Sequence, residues 1–98
     1  MTLPDLIRKI IDAVINENVR FSIHALEQMN ERGLVYQDVV QIARSCIHFK
    51  WQEEKQTYLI LGYALNGKGA AFACKLDHGI VIITVMWRHL SKKEREKI

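Results

Sequence analysis

The sequence lacks the features that define membrane-bound, disulfide-stabilised and metal-stabilised proteins. No apolar run approaches the roughly 20 residues that a transmembrane helix needs, and the apolar N-terminal segment is interrupted by Asp5, Arg8 and Lys9. The only two cysteines, Cys46 and Cys74, belong to no CxxC motif, and the four histidines have no zinc-ligand spacing. We therefore expect free thiols, no metal, no cofactor, no membrane association and a cytoplasmic location.

The composition is that of one globular domain. The 98 residues suffice for a single domain, residues 1–98, with a thin core. Hydrophobic residues make up 49% of the chain and charged residues 26%, values that exclude disordered and collagen-like proteins. The net charge is +3, and basic residues concentrate at the C-terminal end around Lys92 and Lys93. Such an end is either a solvated tail or a contact for phosphates or an acidic partner.

Three short helices are predicted in the first half of the chain. Apolar residues over positions 3–15 recur at helical steps of three and one, and a similar stripe covers positions 35–46. Between them lies a helix with Ser22 as its N-cap and Gly33 as the left-handed residue that ends it. At 100° per residue, His24 falls on the polar face of this second helix, away from its apolar stripe.

The hydrophobic period changes to two in the second half, which predicts a sheet. Candidate strands cover residues 47–52, 57–65, 70–76 and 79–87, with a strong Asn-Gly hairpin signal between the second and third. Short connections imply an antiparallel meander, and the β-branched last strand is expected at its centre. The predicted fold class is α+β: N-terminal helices pack on one face of a three- to four-stranded antiparallel sheet, followed by a short basic C-terminal tail or helix.

The sheet face that the helices leave free is the expected place for chemistry. In the last strand, Thr84 and Arg88 interrupt one row of side chains and should point to this free face. Lys75 from the neighbouring strand and Tyr58 from the next could join them there, depending on a strand register that the sequence does not fix. The other row is wholly apolar and is predicted to face the core; it consists of Val81, Ile83, Val85 and Trp87. Each polar residue also has an ordinary interpretation, as a strand former, an end-of-strand charge or, for His24, a surface histidine.

The segment FSIHALEQMNERG at residues 21–33 carries a recognisable motif. It resembles the pattern F-S-x-H-A-x-x-R-M-x-x-R-G-[IL] of a small bacterial family of uncharacterised proteins, domain of unknown function four-two-five-eight. The resemblance covers about residues 19–88. A typical member has a His-Arg-Arg stripe at steps of four, whereas this chain has His24, Gln28 and Arg32. In outline the family is similar to RelE-like and BrnT-like toxins, which place helices before a curved antiparallel sheet.

Those toxins are ribonucleases, usually encoded beside an antitoxin that covers the active face. The resemblance thus implies a metal-independent endoribonuclease toxin that cleaves mRNA, free or bound to the ribosome. Its implied partners are RNA and a cognate antitoxin. The resemblance does not decide whether the chain also forms a homodimer. The implied catalytic set is His24 for proton transfer, Arg32 and Arg88 as phosphate clamps, and Thr84 as a further donor. Further RNA contacts are implied for Gln28, Tyr58, Lys75, Lys92 and Lys93.

Two other functions stay open. Gln28 cannot balance charge as Arg does, which favours a non-catalytic relative that binds RNA or a protein through its basic end. A structural or small-molecule role is the third alternative, and a deep apolar pocket would support it. The sequence poses one geometric question, which is whether the helical pair His24 and Arg32 meets the strand pair Thr84 and Arg88 at the same edge of the sheet.

Overall fold

The computed structural model describes residues 3–89, which form an α+β fold as predicted. Its helices are α1 (Asp5–Ile15), α2 (Ile23–Arg32) and α3 (Tyr36–Ser45). Its strands are β1 (Arg20–Phe21), β2 (His48–Gln52), β3 (Thr57–Tyr63), β4 (Gly69–Leu76) and β5 (Ile80–Trp87). No helix within residues 3–89 is long and apolar enough to cross a membrane. The predicted C-terminal tail or helix, with Lys92 and Lys93, lies outside the described residues.

The sheet has the order β1-β5-β4-β3-β2, so its last four strands form the predicted meander. It has one strand more than predicted, because β1 pairs in parallel with β5 at Val81 and Ile82. Two residues are too few to show a period of two in the sequence. The strand at the centre is β4 and not β5, which corrects the expected central position of the last strand. Residues 70–74 of β4 are small apart from one phenylalanine, and all are buried.

Local side-chain bonds define where α2 and α3 begin and end. The Ser22 hydroxyl oxygen accepts an N–H from the first turn of α2 at 3.0 Å, and Gly33 ends that helix at φ 70°. The Asp38 carboxylate is buried and accepts two backbone N–H groups, from Val35 at the start of α3 and from Leu65 after β3, both at 3.0 Å. One carboxylate therefore fastens α3 to the β3–β4 connection.

Helix α3 packs directly on β3 at Gly62. A Cβ atom added at Gly62 would lie 2.5 Å from both the Ile42 carbonyl oxygen and the Ser45 hydroxyl oxygen, so the contact requires glycine. The same hydroxyl donates to the Gln41 carbonyl at 2.7 Å and accepts the Tyr63 N–H at 2.8 Å. This contact sets the distance between α3 and the sheet.

A β-bulge in β5 changes which side chains face the helices. Ala73 lies opposite Thr84, but the next residue, Cys74, lies opposite Ile82, so Ile83 is an extra residue in the pairing. A prediction from a period of two assumes unbroken strand pairing. One extra residue therefore moves every earlier side chain of β5 to the face of the sheet opposite the predicted one.

The exchanged faces correct part of the predicted core. Ile80 and Ile82, predicted to point away from the helices, pack in the helix-side core. Val81 and Ile83, predicted to be core residues, turn to the second face, where Ile83 packs against another apolar cluster. Beyond the bulge the prediction holds for Val85, which is fully buried on the helix side, but it is wrong for Trp87, which is 37% exposed at the end of the strand.

The second face of the sheet is buried at its centre, contrary to the expected free surface. Its central cluster consists of Ile47, Leu59, Leu61, Ala71 and Ala73, each at most 4% exposed. Thr84 borders this cluster because it pairs with Ala73. Since the central strands are apolar on both faces, polar groups that can act on a ligand are found at the edges and ends of the sheet.

Candidate nucleic-acid interface

Helix α2 lies along the outer edge of β5, beyond the two paired residues of β1. The Val85 N–H donates to Gln28 Oε1 at 3.3 Å, and the Val85 carbonyl accepts from Arg32 Nη1 at 2.7 Å. Gln28 also contacts His24, with 2.8 Å between the two Nε2 atoms. These three residues, His24, Gln28 and Arg32, form what we call the α2 stripe. It borders the β5 edge, and two of its members satisfy backbone groups there.

The structure answers the geometric question in part. Thr84 directly precedes Val85, so the α2 stripe and Thr84 share one edge of the sheet. The Thr84 side chain nevertheless projects from the second face, opposite Ala73, whereas Gln28 and Arg32 reach the backbone at the strand edge. The α2 stripe and Thr84 therefore lie at the same edge of the sheet but on different sides of the β5 backbone.

Trp87 joins the end of α2 to the end of β5. Its indole N–H donates to the Arg32 carbonyl at 2.9 Å, and the residue is 37% exposed. Arg88 follows with a half-buried side chain, and its backbone N–H donates to the Gly69 carbonyl at 2.9 Å. The two arginines predicted to clamp phosphate are thus connected through Trp87, which bonds the backbone of Arg32 and directly precedes Arg88.

A cleft of about 680 Å³ opens at this end of the sheet. Its lining residues include Tyr63, Lys68, Trp87, Arg88 and His89, and we call it the β5-end cleft. Two of these residues are cationic, one is a histidine and two are large aromatic residues. Of the five, only Arg88 was among the predicted site residues. Tyr63 and Lys68 come from the β3–β4 hairpin, whereas Trp87 and His89 come from the end of β5. The pairing of β4 with β5, which residue spacing does not reveal, brings the two groups together.

Two predicted RNA contacts lie away from the cleft. Tyr58 packs on the helix side of β3, with its ring centroid 4.7 Å from that of Trp51, so its predicted position beside Thr84 is wrong. It belongs to the same side-chain row as Gly62, and that row receives α3. Lys75 is exposed and turns to the second face as predicted, but at the end of β4 remote from the cleft.

The two thiols are free, as predicted, and neither is activated. Burial raises the pKa of Cys74 to about 12, and burial also raises the pKa of Cys46. Because the thiolate is the form that attacks electrophiles and binds metals, neither cysteine is suited to nucleophilic chemistry. Across residues 3–89, no group of three or more His, Cys, Asp or Glu side chains is arranged to hold a metal ion.

Comparison with known proteins assigns the chain to a family. A family model described as Domain of unknown function (DUF4258) matches residues 21–87, well over half of the chain. The match includes the whole α2 stripe and extends to Trp87 at the cleft. No curated protein and no solved structure matches the chain. The chain therefore belongs to the family Domain of unknown function (DUF4258).

Proposed function

We propose that this domain is a metal-independent endoribonuclease that cleaves mRNA in the cytoplasm as the toxin of a bacterial toxin–antitoxin pair. The observation that carries the proposal is the β5-end cleft, where Lys68 and Arg88 lie beside Tyr63 and Trp87. Cations neutralise the RNA backbone, and aromatic rings stack on bases that are not held in a duplex. The cleft thus combines the two kinds of group that bind single-stranded RNA.

The same cleft carries groups suited to RNA cleavage. In this reaction the 2′-oxygen attacks the adjacent phosphorus and the bond from phosphorus to the 5′-oxygen breaks, leaving a 2′,3′-cyclic phosphate and a 5′-hydroxyl. One proton leaves the 2′-hydroxyl for a base, and one is delivered to the departing 5′-oxygen. His89 lines the cleft, and histidine serves in both proton roles near neutral pH. Arg88 and Lys68 would offset the charge that develops on the phosphoryl oxygens.

The partner follows from the resemblance to RelE-like and BrnT-like toxins. An antitoxin that covers the active face would have to occupy the β5-end cleft or the adjoining α2 stripe. Acidic side chains on that antitoxin would complement Lys68, Arg88 and Arg32. Co-expression with the neighbouring reading frame should therefore suppress any growth defect, and binding of its product should exclude RNA.

Cleavage of an end-labelled single-stranded RNA by the purified chain, with EDTA present, tests the proposal. We expect a 2′,3′-cyclic phosphate product, and we expect Lys68→Ala and Arg88→Ala each to lower kcat/KM about 100-fold. The matched control is Lys50→Ala, which removes an exposed lysine from β2 at the opposite edge of the sheet. Absence of cleavage, or an equal loss in the Lys50 and Lys68 variants, would contradict the proposal.

One observation favours a second candidate, a non-catalytic RNA-binding module. Gln28 and Arg32 bond the Val85 backbone, so part of the α2 stripe serves the sheet edge. Arg32 retains further guanidinium donors, and Lys68 and Arg88 suffice to bind phosphate without cleaving it. For such a module, RNA binding would weaken steeply with salt and no product would form at any protein concentration.

A further inference from the structure

The side-chain amide of Gln28 lies between a backbone N–H group of β5 and the imidazole ring of His24. On one side it contacts the Val85 N–H, which can only donate, at 3.3 Å. On the other it contacts His24 Nε2 at 2.8 Å. An amide has one accepting oxygen and one donating nitrogen. Because the Val85 N–H needs the oxygen, the nitrogen must face His24, and the orientation of the Gln28 amide is fixed by the backbone of β5.

This orientation determines the protonation of the imidazole ring. A ring nitrogen that receives an N–H must carry a lone pair, so Nε2 of His24 is unprotonated and the single proton of the neutral ring resides on Nδ1. We infer that Gln28 is a positioning residue that holds His24 in the Nδ1–H tautomer, so that His24 donates to an RNA phosphate and does not accept the 2′-hydroxyl proton. The contact between His24 and RNA rests on the proposed function, whereas the assignment of the tautomer does not.

Three further features agree with a phosphate contact. His24 is exposed, so a ligand can reach its Nδ1–H. His24 and Arg32 are on one helix, eight positions apart, which corresponds to about 12 Å along the axis. The Arg32 end of that helix adjoins the β5-end cleft through Trp87. The donors thus form a track that leads from the cleft along the β5 edge, as expected for a phosphodiester chain and not for a single small anion.

The inference also explains how the chain tolerates glutamine where the pattern that residues 21–33 resemble has arginine. An arginine at position 28 would donate to His24 Nε2 and so select the same tautomer. It would offer no acceptor to the Val85 N–H. Gln28 therefore keeps the donor to the histidine, adds a bond to the sheet edge and gives up one positive charge.

Long-range ¹H–¹⁵N NMR of the histidine side chains tests the tautomer. His24→Gln identifies the His24 signals by their loss, and His78, which pairs with Asp77 at a remote turn, is the internal reference. We expect a protonated Nδ1 and an unprotonated Nε2 in the native chain. Gln28→Glu keeps an acceptor for the Val85 N–H but offers a carboxylate to the ring, so the protonated nitrogen should switch to Nε2. A native His24 protonated at Nε2 would overturn the inference, whatever the cleavage assay gives.

The role in the RNA complex has a separate test. A glutamine at position 24 can accept from Gln28 and donate to a phosphate, but it cannot act as a base. His24→Gln should therefore keep cleavage within about 10-fold of the native chain, whereas His24→Ala should lose more. Equal losses of 100-fold or more in both variants would mark His24 as a proton-transfer group and refute the inference. A native chain that shows the Nδ1–H tautomer but no cleavage would refute the proposed function alone.

Discussion

Replacing Gly62 by alanine tests how closely α3 is held to the sheet. In an ordinary strand this change would stabilise the protein by about 0.5–1 kcal/mol, because alanine loses less backbone entropy on folding. Here the new methyl group would lie 2.5 Å from the Ile42 carbonyl oxygen and from the Ser45 hydroxyl oxygen. Overpacking of this kind costs about 1–3 kcal/mol, and displacing the hydroxyl weakens its bond from the Tyr63 N–H by about 1 kcal/mol.

After the entropy gain is subtracted from these costs, we expect Gly62→Ala to lower the free energy of unfolding by about 1–3.5 kcal/mol, out of a total of roughly 5–10 kcal/mol for a domain of this size. Urea unfolding followed by circular dichroism should show a midpoint lower by about 1–2 M, with an unchanged slope. In a Ser45→Ala background the same substitution should cost about 1 kcal/mol less, since one of the two close contacts is gone. A Gly62→Ala variant as stable as the native chain would refute the reasoning.

Three other outcomes follow from the structure. Asp38→Ala should lower the free energy of unfolding by about 2–3 kcal/mol in urea titrations, because it leaves two backbone N–H groups without their acceptor, and Asp38→Asn should cost less. With the Cys74 pKa at about 12 in the folded chain and 9.0 otherwise, the unfolded state loses this proton first as pH rises. Stability should therefore fall by about 1.4 kcal/mol per pH unit from pH 9 towards 12, and Cys74→Ala should show a shallower fall. Trp87→Ala should weaken binding of single-stranded RNA by about 1–3 kcal/mol in fluorescence anisotropy, whereas Trp51→Ala, at the opposite edge, should leave it unchanged.

Much of the fold could be predicted from the sequence because its signals are local. Ser22 and Gly33 mark the ends of α2, and both act as predicted. Strand β1 and the bulge at Ile83 escaped prediction for a different reason, since both exist only through pairing with a distant strand. The bulge had the larger consequence, because one extra residue exchanged the faces of the first half of β5.

The candidate site, like the fold, was predicted where its signal is local and missed where it depends on strand pairing. The α2 stripe was found because helical spacing places His24, Gln28 and Arg32 on one face whatever the helix packs against. The cleft was missed because Lys68 belongs to a hairpin turn and His89 follows a strand end. Their proximity depends on the register of β3, β4 and β5. Through Arg88 the sequence indicated that the end of β5 belongs to the site, but it did not indicate the residues that surround this strand end.

The most direct test of the account is an NMR titration of the full chain with a short single-stranded RNA whose 2′-hydroxyl at the cleavage position is replaced by hydrogen. The account predicts chemical-shift changes at the backbone amides of residues 67–69 and 87–89, extending along α2 to His24 and weakening as salt is added. Residues 48–52 of β2, at the opposite edge, should not respond. Shift changes confined to β2, or none at RNA concentrations that saturate binding elsewhere on the chain, would contradict the placement of the RNA at the end of β5.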